Sequence, residues 1–292
     1  MIPFLVFVRI FSNPLSNLFQ KKLVSQKSDS FFIIFITYVS LSIISLPLFD
    51  KIFFSGLPPA YFIYMFICAL FAVSANVLIV KALGCSDLSL LGPINSYKPI
   101  VGMLFGIFLL NEIPSWIGLF GVSLILFGSY FITEKNHSEK THDIFKNLFY
   151  DKGVQLRIAA LFLSGVEAVF LKKALYYSTP LISMGLWCFA GFVVSGIASI
   201  LFLRKNLVKE FYEFPVNKKI FFFLFITTGL MQFTTLLIFE KMQVSYALAL
   251  FQISSLVGVF LGYKYFKEKN IKERITGSVL MIIGAVFIIL FK

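Results

Sequence analysis

The chain has 292 residues, 59% hydrophobic and 18% aromatic, and only 14% charged. A soluble domain of that length has no interior large enough for so much apolar surface, so the composition excludes a soluble enzyme or binding module and indicates a polytopic helical membrane protein. The net charge of +12 is scattered among the joints between apolar runs, which fits anionic lipid headgroups and a topology signal rather than nucleic acid.

A hydrocarbon core of ~30 Å needs about 20 apolar residues of helix. Ten such runs follow in order, near 3–24, 31–49, 60–81, 88–110, 113–133, 155–177, 181–203, 219–240, 244–264 and 272–291. The first lacks a basic leader and a small-residue cleavage site, so it is expected to stay as a span. It carries Arg9, placed either to snorkel to the interface or to join an ion pair, and Asn13-Pro14, which is expected to break the helix. The third run contains Asn76, the eighth Gln232, Thr234 and Thr235, and the ninth Gln252, all able to orient a ligand or to hydrogen-bond between helices. The longest joint, 134–154, holds His137 and His142 without ligands at metal spacing. Cys68, Cys85 and Cys188 have no paired spacing, so neither disulfide nor metal site is inferred, and no cofactor is expected. The chain has no Gly-x4-Gly-Lys-Ser/Thr phosphate loop.

Lys and Arg fall unevenly. The joints after spans one, three, five, seven and nine carry 19 of them, while the other joints and the termini carry five. The positive-inside rule then places the odd joints in the cytoplasm and both termini outside.

Residues 89–132 laid over 245–288, an offset of 156, give ten identities: Ser89/Ser245, Val101/Val257, Gly102/Gly258, Gly106/Gly262, Glu112/Glu268, Gly121/Gly277, Leu124/Leu280, Gly128/Gly284, Phe131/Phe287 and Ile132/Ile288. A weaker echo matches Phe19, Lys21 and Lys22 to Phe170, Lys172 and Lys173 at an offset of 151. The joint is therefore the seam of a duplication, with a first repeat over 1–133, a polar connector over 134–154 and a second repeat over 155–292. Because five spans is an odd number, the second copy enters the membrane inverted. The expected fold is an all-α membrane protein of ten transmembrane helices in two inverted five-helix repeats.

At these residues the chain resembles the EamA-like ten-helix members of the drug/metabolite transporter superfamily. The resemblance rests on Leu110-Asn111-Glu112 and Phe266-Lys267-Glu268, each followed nine residues after the Glu by the glycine that opens Gly121-x6-Gly128 or Gly277-x6-Gly284. These glycine pairs also resemble the last helix of small multidrug resistance proteins, where the motif pairs helices. The resemblance implies a transporter rather than an enzyme, a small-molecule substrate and cytoplasmic termini, the last against the Lys/Arg count.

Within the spans, Asn95, Lys98, Pro99, Gly102 and Gly106 recur at helical spacing and share one face, and Ser254, Ser255, Gly258 and Gly262 repeat the pattern. The glycines read as the crossing of the fourth and ninth spans. Lys98 sits ten residues into its span, where a cation costs about 2.5–3.5 kcal/mol on insertion scales. It either faces a central cavity and attracts an anionic group or forms a structural pair with Glu167. Glu167, in the sixth span, suits proton coupling or a partnership with Lys98 or Arg9. Asn95, Ser96, Asn76, Gln232, Gln252 and Ser254 are expected to line the substrate site with Lys98, and Glu112 and Glu268 to cap helices.

The sequence thus reads as a secondary transporter of a small anionic or zwitterionic metabolite in a bacterial cytoplasmic membrane. It would work by alternating access, with a proton as a candidate partner, as a monomer or homodimer. A lipid or lipid-linked headgroup flippase and a non-transporting assembly subunit are the alternatives.

Overall fold

The structure is a computed structural model that describes residues 2–48, 50, 56–86, 88, 91, 94–133, 151–204, 206–266 and 274–291. Every regular element among them is helical: α1 (Ile2–Ser25), α2 (Ser30–Ser45, extended by a 3-10 turn at Leu46–Leu48), α3 (Pro59–Cys85), α4 (Lys98–Leu110, preceded by a 3-10 turn at Asn95–Tyr97), α5 (Trp116–Thr133), α6 (Lys152–Leu175), α7 (Pro180–Leu203), α8 (Asn206–Lys241), α9 (Val244–Phe251), α10 (Ser254–Phe266) and α11 (Arg274–Phe291). Helix is the form that satisfies its own backbone polar groups inside hydrocarbon. Seven described stretches are long and apolar enough to cross a membrane, with Lys98–Leu110 and Trp116–Gly128 as shorter apolar helices.

Three boundaries differ from the sequence expectation. Asn13-Pro14 does not break α1, which continues through Pro14 to Ser25, with Pro14 buried where α1 packs against α8 and α10. The eighth span, expected over 219–240, corresponds to Val216–Lys241, but its helix begins earlier: α8 starts at Asn206 and runs for 36 residues, about 54 Å at 1.5 Å per residue, so its charged first turns extend past a ~30 Å core. The fourth and ninth spans are not continuous α-helices but contain turns at Asn95–Tyr97 and around Gln252.

Helix starts are set by short polar side chains. Asp29 caps α2 by accepting from the Phe31 N–H at 2.7 Å, and Thr179 caps α7 ahead of Pro180. Asp151 caps α6, accepting from the Val154 N–H at 2.9 Å and from the Ser86 hydroxyl at 2.7 Å, which ties the end of α3 to the start of α6. The Ser86 bond, helped by the Val154 N–H, holds the Asp151 carboxyl below its ordinary value. A carboxyl held low stabilises the fold above its unfolded value and loses that contribution as pH falls through the folded one. Asp151→Ala should lower stability at neutral pH by about 1 kcal/mol. It should also flatten the acid limb of a thermal unfolding series in detergent; an unchanged acid limb would remove the cap from the account.

The packing is reciprocal between the halves. α3 lies along α6 as α1 lies along α8, α4 rests on α6 as α10 rests on α1, and α7 touches α3 as α2 touches α8. All of these contacts join the two halves, and two further pairs bring equivalent helices together, α2 with α7 and α5 with α11. The offset of 151 also holds in space: Lys173 donates to the Leu109 carbonyl at 2.8 Å, while its counterpart Lys22 sits 4.5 Å over the ring of Tyr265, 156 residues on from Leu109. Large apolar side chains such as Phe4, Phe108, Ile200 and Phe202 remain exposed, as lipid-facing positions require.

The glycine motifs divide. A Cβ on Gly284 would meet the Gly121 carbonyl oxygen at 2.6 Å and the Ile125 N at 3.0 Å. Gly121 and Gly284 therefore bring α5 and α11 backbone to backbone, as the resemblance implies, and Gly128 is also buried. Backbone cannot yield as a flexible side chain does, so Gly284→Val should cost about 1–3 kcal/mol. A wild-type melting temperature for that variant in detergent would refute the close approach. Gly102 packs on Leu248 of α9, but Gly258 packs on Pro14 of α1, so the small residues do not make a direct crossing of α4 with α10. Gly106 lies nearest Glu112 and Gly262 is buried. The side of α11 at Gly277, the Glu268 segment and both histidines lie outside the described residues.

Candidate functional site

The two interruptions occupy equivalent places. α4 begins at Lys98 and α10 at Ser254, a separation of 156 that matches the sequence repeat. In the first, Pro99 has no N–H and starts an α-helix more readily than it continues one, so the Lys98 N–H closes a 3-10 turn on the Asn95 carbonyl instead. In the second, short bonds from Gln252 N to Ala249 O and from Ser255 N to Gln252 O turn the chain between α9 and α10. The turns meet across the halves: Asn95 Nδ2 donates to Gln252 Oε1 at 3.3 Å. Irregular backbone at membrane depth is tolerated where it borders a cavity or is buried in protein.

Lys98 is therefore the first residue of a helix rather than a mid-helix position. Its side chain is half-buried and makes no hydrogen bond or ion pair among the described residues. Glu167 lies within electrostatic range of Lys98 and Arg9, but its hydrogen bond comes from Cys68 Sγ at 3.7 Å. The direct Lys98–Glu167 pair is not formed.

Arg9 does not snorkel. It is buried at 8% exposure, donates from Nε to Thr235 Oγ1 at 2.8 Å and stacks 4.5 Å over Phe251 at the end of α9. One turn on, Asn13 Nδ2 donates to Ser254 Oγ at 3.1 Å at the start of α10. Thus one face of α1 from the first half addresses the break in the second.

The remaining predicted residues scatter. Asn76 turns back to the Ala72 carbonyl of its own helix at 2.9 Å, and Gln252 Nε2 does likewise to Leu248 at 2.9 Å. Gln232 is buried with Nε2 unpartnered. The Ser96 side chain lies outside the described residues. Cys68 and Phe251 are not among the expected site residues, since a lone thiol and a phenylalanine among 38 carry no signal of their own, whereas Ser255 stands beside Ser254 on the repeated polar face without being assigned to the site.

A separate polar network joins the halves near one end of the bundle. Glu112 caps a helix, but not the one that follows it. Its Oε2 accepts from the Val244 N–H of α9 at 2.7 Å, while Ser115 caps α5 through the Gly118 N–H at 3.1 Å. Lys172 stands 3.9 Å from Glu112 and donates to the carbonyls of Phe239 and Met242. Tyr246 accepts from the Ser115 N–H at 2.6 Å, and Gln243 donates to the Ile113 carbonyl at 3.2 Å.

A solved structure described as "Crystal structure of protein" superposes with a TM-score of 0.68 at 15% identity, over 98% of this chain and 95% of its own; at that identity the likeness shows the fold alone. A search of curated proteins finds no match. The model of the EamA-like transporter family matches twice, over residues 2–134 and 151–290. Matched along nearly its whole length in two copies, the chain belongs to the EamA-like transporter family, membrane transporters of the drug/metabolite transporter superfamily.

Proposed function

We propose that the chain is a ten-span secondary transporter of a small anionic or zwitterionic metabolite, built from two inverted repeats and working by alternating access. The observation that carries this reading is the pair of helix breaks at equivalent positions, touching at Asn95–Gln252, with Lys98, Arg9 and Glu167 gathered around them. Discontinuous helices of this kind place substrate sites near the midplane of inverted-repeat transporters, and their rigid halves rock around that site. Buried charges on such helices are expensive and mark transport pathways. Two cations and one carboxylate in range of each other favour a substrate with a negative group, while Glu167 is the candidate site for a substrate ammonium or a coupled proton. The Lys/Arg distribution favours termini outside the cytoplasm.

The test is an untargeted comparison of cell and medium metabolites between bacterial cells expressing the chain and an empty-vector control. An anionic or zwitterionic metabolite that redistributes on expression is the expected result and also gives the direction of transport. Redistribution confined to cations or neutral compounds would overturn the substrate class, and no redistribution would overturn the transport reading in that cell.

A further inference from the structure

Among the described residues, eight buried side-chain N or O atoms have no hydrogen-bond partner, and three of them lie on α1, α8 and α10. Arg9 Nη1, Gln232 Nε2 and Ser255 Oγ are all without a hydrogen-bond partner, on residues 8%, 5% and 7% exposed. An unmet donor in a low-dielectric interior costs about 1–3 kcal/mol, more when charged, so three on facing elements call for an occupant that accepts.

Their placement is specific. Thr235 anchors the Nε of Arg9, and Gln232 lies three residues earlier on α8, on the same helical face. Phe251 covers the guanidinium at the end of α9, and Ser255 is in the first turn of α10. The start of α10 is held to α1 by Asn13–Ser254, one turn along from Arg9. A 13-residue helix thus begins beside a fixed arginine, with its Ser255 and Leu256 N–H groups already bonded to the Gln252 and Ile253 carbonyls, so the side chains rather than the backbone are left to meet a ligand.

Charge points the same way. Lys98 interacts electrostatically with Arg9, Arg157 and Glu167, and Arg157 is buried with its Nε on the Leu91 carbonyl at 3.2 Å. Lys98 and Arg9 are in range of Glu167, and Arg157 is in range of Lys98, so cations outnumber the carboxylate.

We infer that Arg9, with the side chains of Gln232 and Ser255, forms the anion-binding pole of the transport site, and that its ligand is an organic acid or phosphate ester presenting a carboxylate or phosphate oxygen. This rests on the transporter reading and deepens it by making Arg9 the residue that touches the anionic group. Thr235 and Phe251 are positioning residues that fix its fork and leave Nη1 without a partner for the anion. Lys98, on the other broken helix, adds field and receives the rest of the molecule.

The test uses the purified full-length protein in detergent. Thermal unfolding is followed with titrated inorganic phosphate, succinate and glutamate, and with sodium chloride at matched ionic strength as the control. A saturable rise in melting temperature with one of the three anions and not with chloride is expected, phosphate separating the phosphate source from the carboxylate one. Arg9→Gln should weaken that anion at least about tenfold, and Arg9→Lys, which keeps the charge but not the fork, should recover only part. Because removing the guanidinium also takes away the donor to Thr235 Oγ1, which keeps its own bond to the Met231 carbonyl, Ser255→Ala serves as a milder second variant and should weaken binding several-fold with the apo melting temperature unchanged. No saturable shift from any of the three anions would overturn the inference, as would equal affinity in Arg9→Gln or Ser255→Ala. If Arg9→Gln still redistributes metabolites as wild type does while Lys98→Ala does not, the transporter reading stands and the Arg9 assignment fails.

Discussion

Lys98→Ala is expected to abolish saturable transport while leaving the protein folded. The two halves of that expectation have separate grounds. The fold should survive because the Lys98 side chain has no hydrogen bond or ion pair among the described residues, so truncation orphans no donor or acceptor. Relief from desolvating the cation works in its favour, against the loss of its attraction to Glu167. Transport should fail because two unit charges about 4 Å apart interact by about 4 kcal/mol at an effective dielectric near 20, and losing even half of that against an anionic substrate is more than a tenfold loss of affinity. Counterflow in proteoliposomes gives the transport readout once a substrate is identified, and the melting temperature in detergent checks the fold. Lys98→Arg should restore part of the rate, since charge rather than a particular hydrogen bond is what the position supplies. Wild-type counterflow by Lys98→Ala would remove Lys98 from the site.

Much of this molecule is legible in its sequence because the membrane imposes simple rules. Span length and apolarity gave helix limits within a few residues for most elements, and the 156 offset foretold that Lys98 and Ser254 occupy equivalent places. It did not reveal that both begin helices. Pro99 was visible, but a proline within an apolar run reads equally as a kink or as a start, and only the packing of α4 on α6 and α9 decides. Pro14 shows the reverse outcome: the same residue type leaves α1 continuous because neighbours hold the helix on both sides of it. Arg9 was misplaced because depth was judged from its distance to the end of the run. Its actual partners, Thr235 and Phe251, are more than 220 residues away in sequence and have no local signature. Glu112 was recognised as a cap from its position before a helix, yet its carboxylate turns to α9, a choice made by the inter-half contact with Val244.

That contact carries the second large expectation: Glu112→Ala should open one end of the bundle. Glu112, Lys172, Ser115, Tyr246 and Gln243 link the α4–α5 joint of the first half to the α8–α9 joint of the second, and halves that rock apart at that end must break these bonds. Removing the carboxylate leaves the Val244 N–H without its acceptor and Lys172 without its ion pair, at a cost to the latched form of about 1–3 kcal/mol. The latched-to-open ratio should then fall by about tenfold or more. Labelling of a single cysteine at position 247, where α9 buries an alanine completely, in a background with Cys68, Cys85 and Cys188 replaced, reads the opening, and should be faster by that factor in Glu112→Ala. The pH dependence has a definite sign. Burial pushes the Glu112 carboxyl above its ordinary value, against the pull of the Val244 N–H and Lys172. The latched form therefore binds a proton more tightly than the hydrated open form. Its advantage is fullest below the open-state pKa and shrinks as pH rises through the latched one. Alkalinisation should accordingly speed labelling in the wild type, after correction for thiolate formation, while Glu112→Gln, which keeps an acceptor for Val244 but cannot titrate, should label at a rate independent of pH. Equal labelling in wild type and Glu112→Ala would mean that these bonds hold the joints together without gating anything.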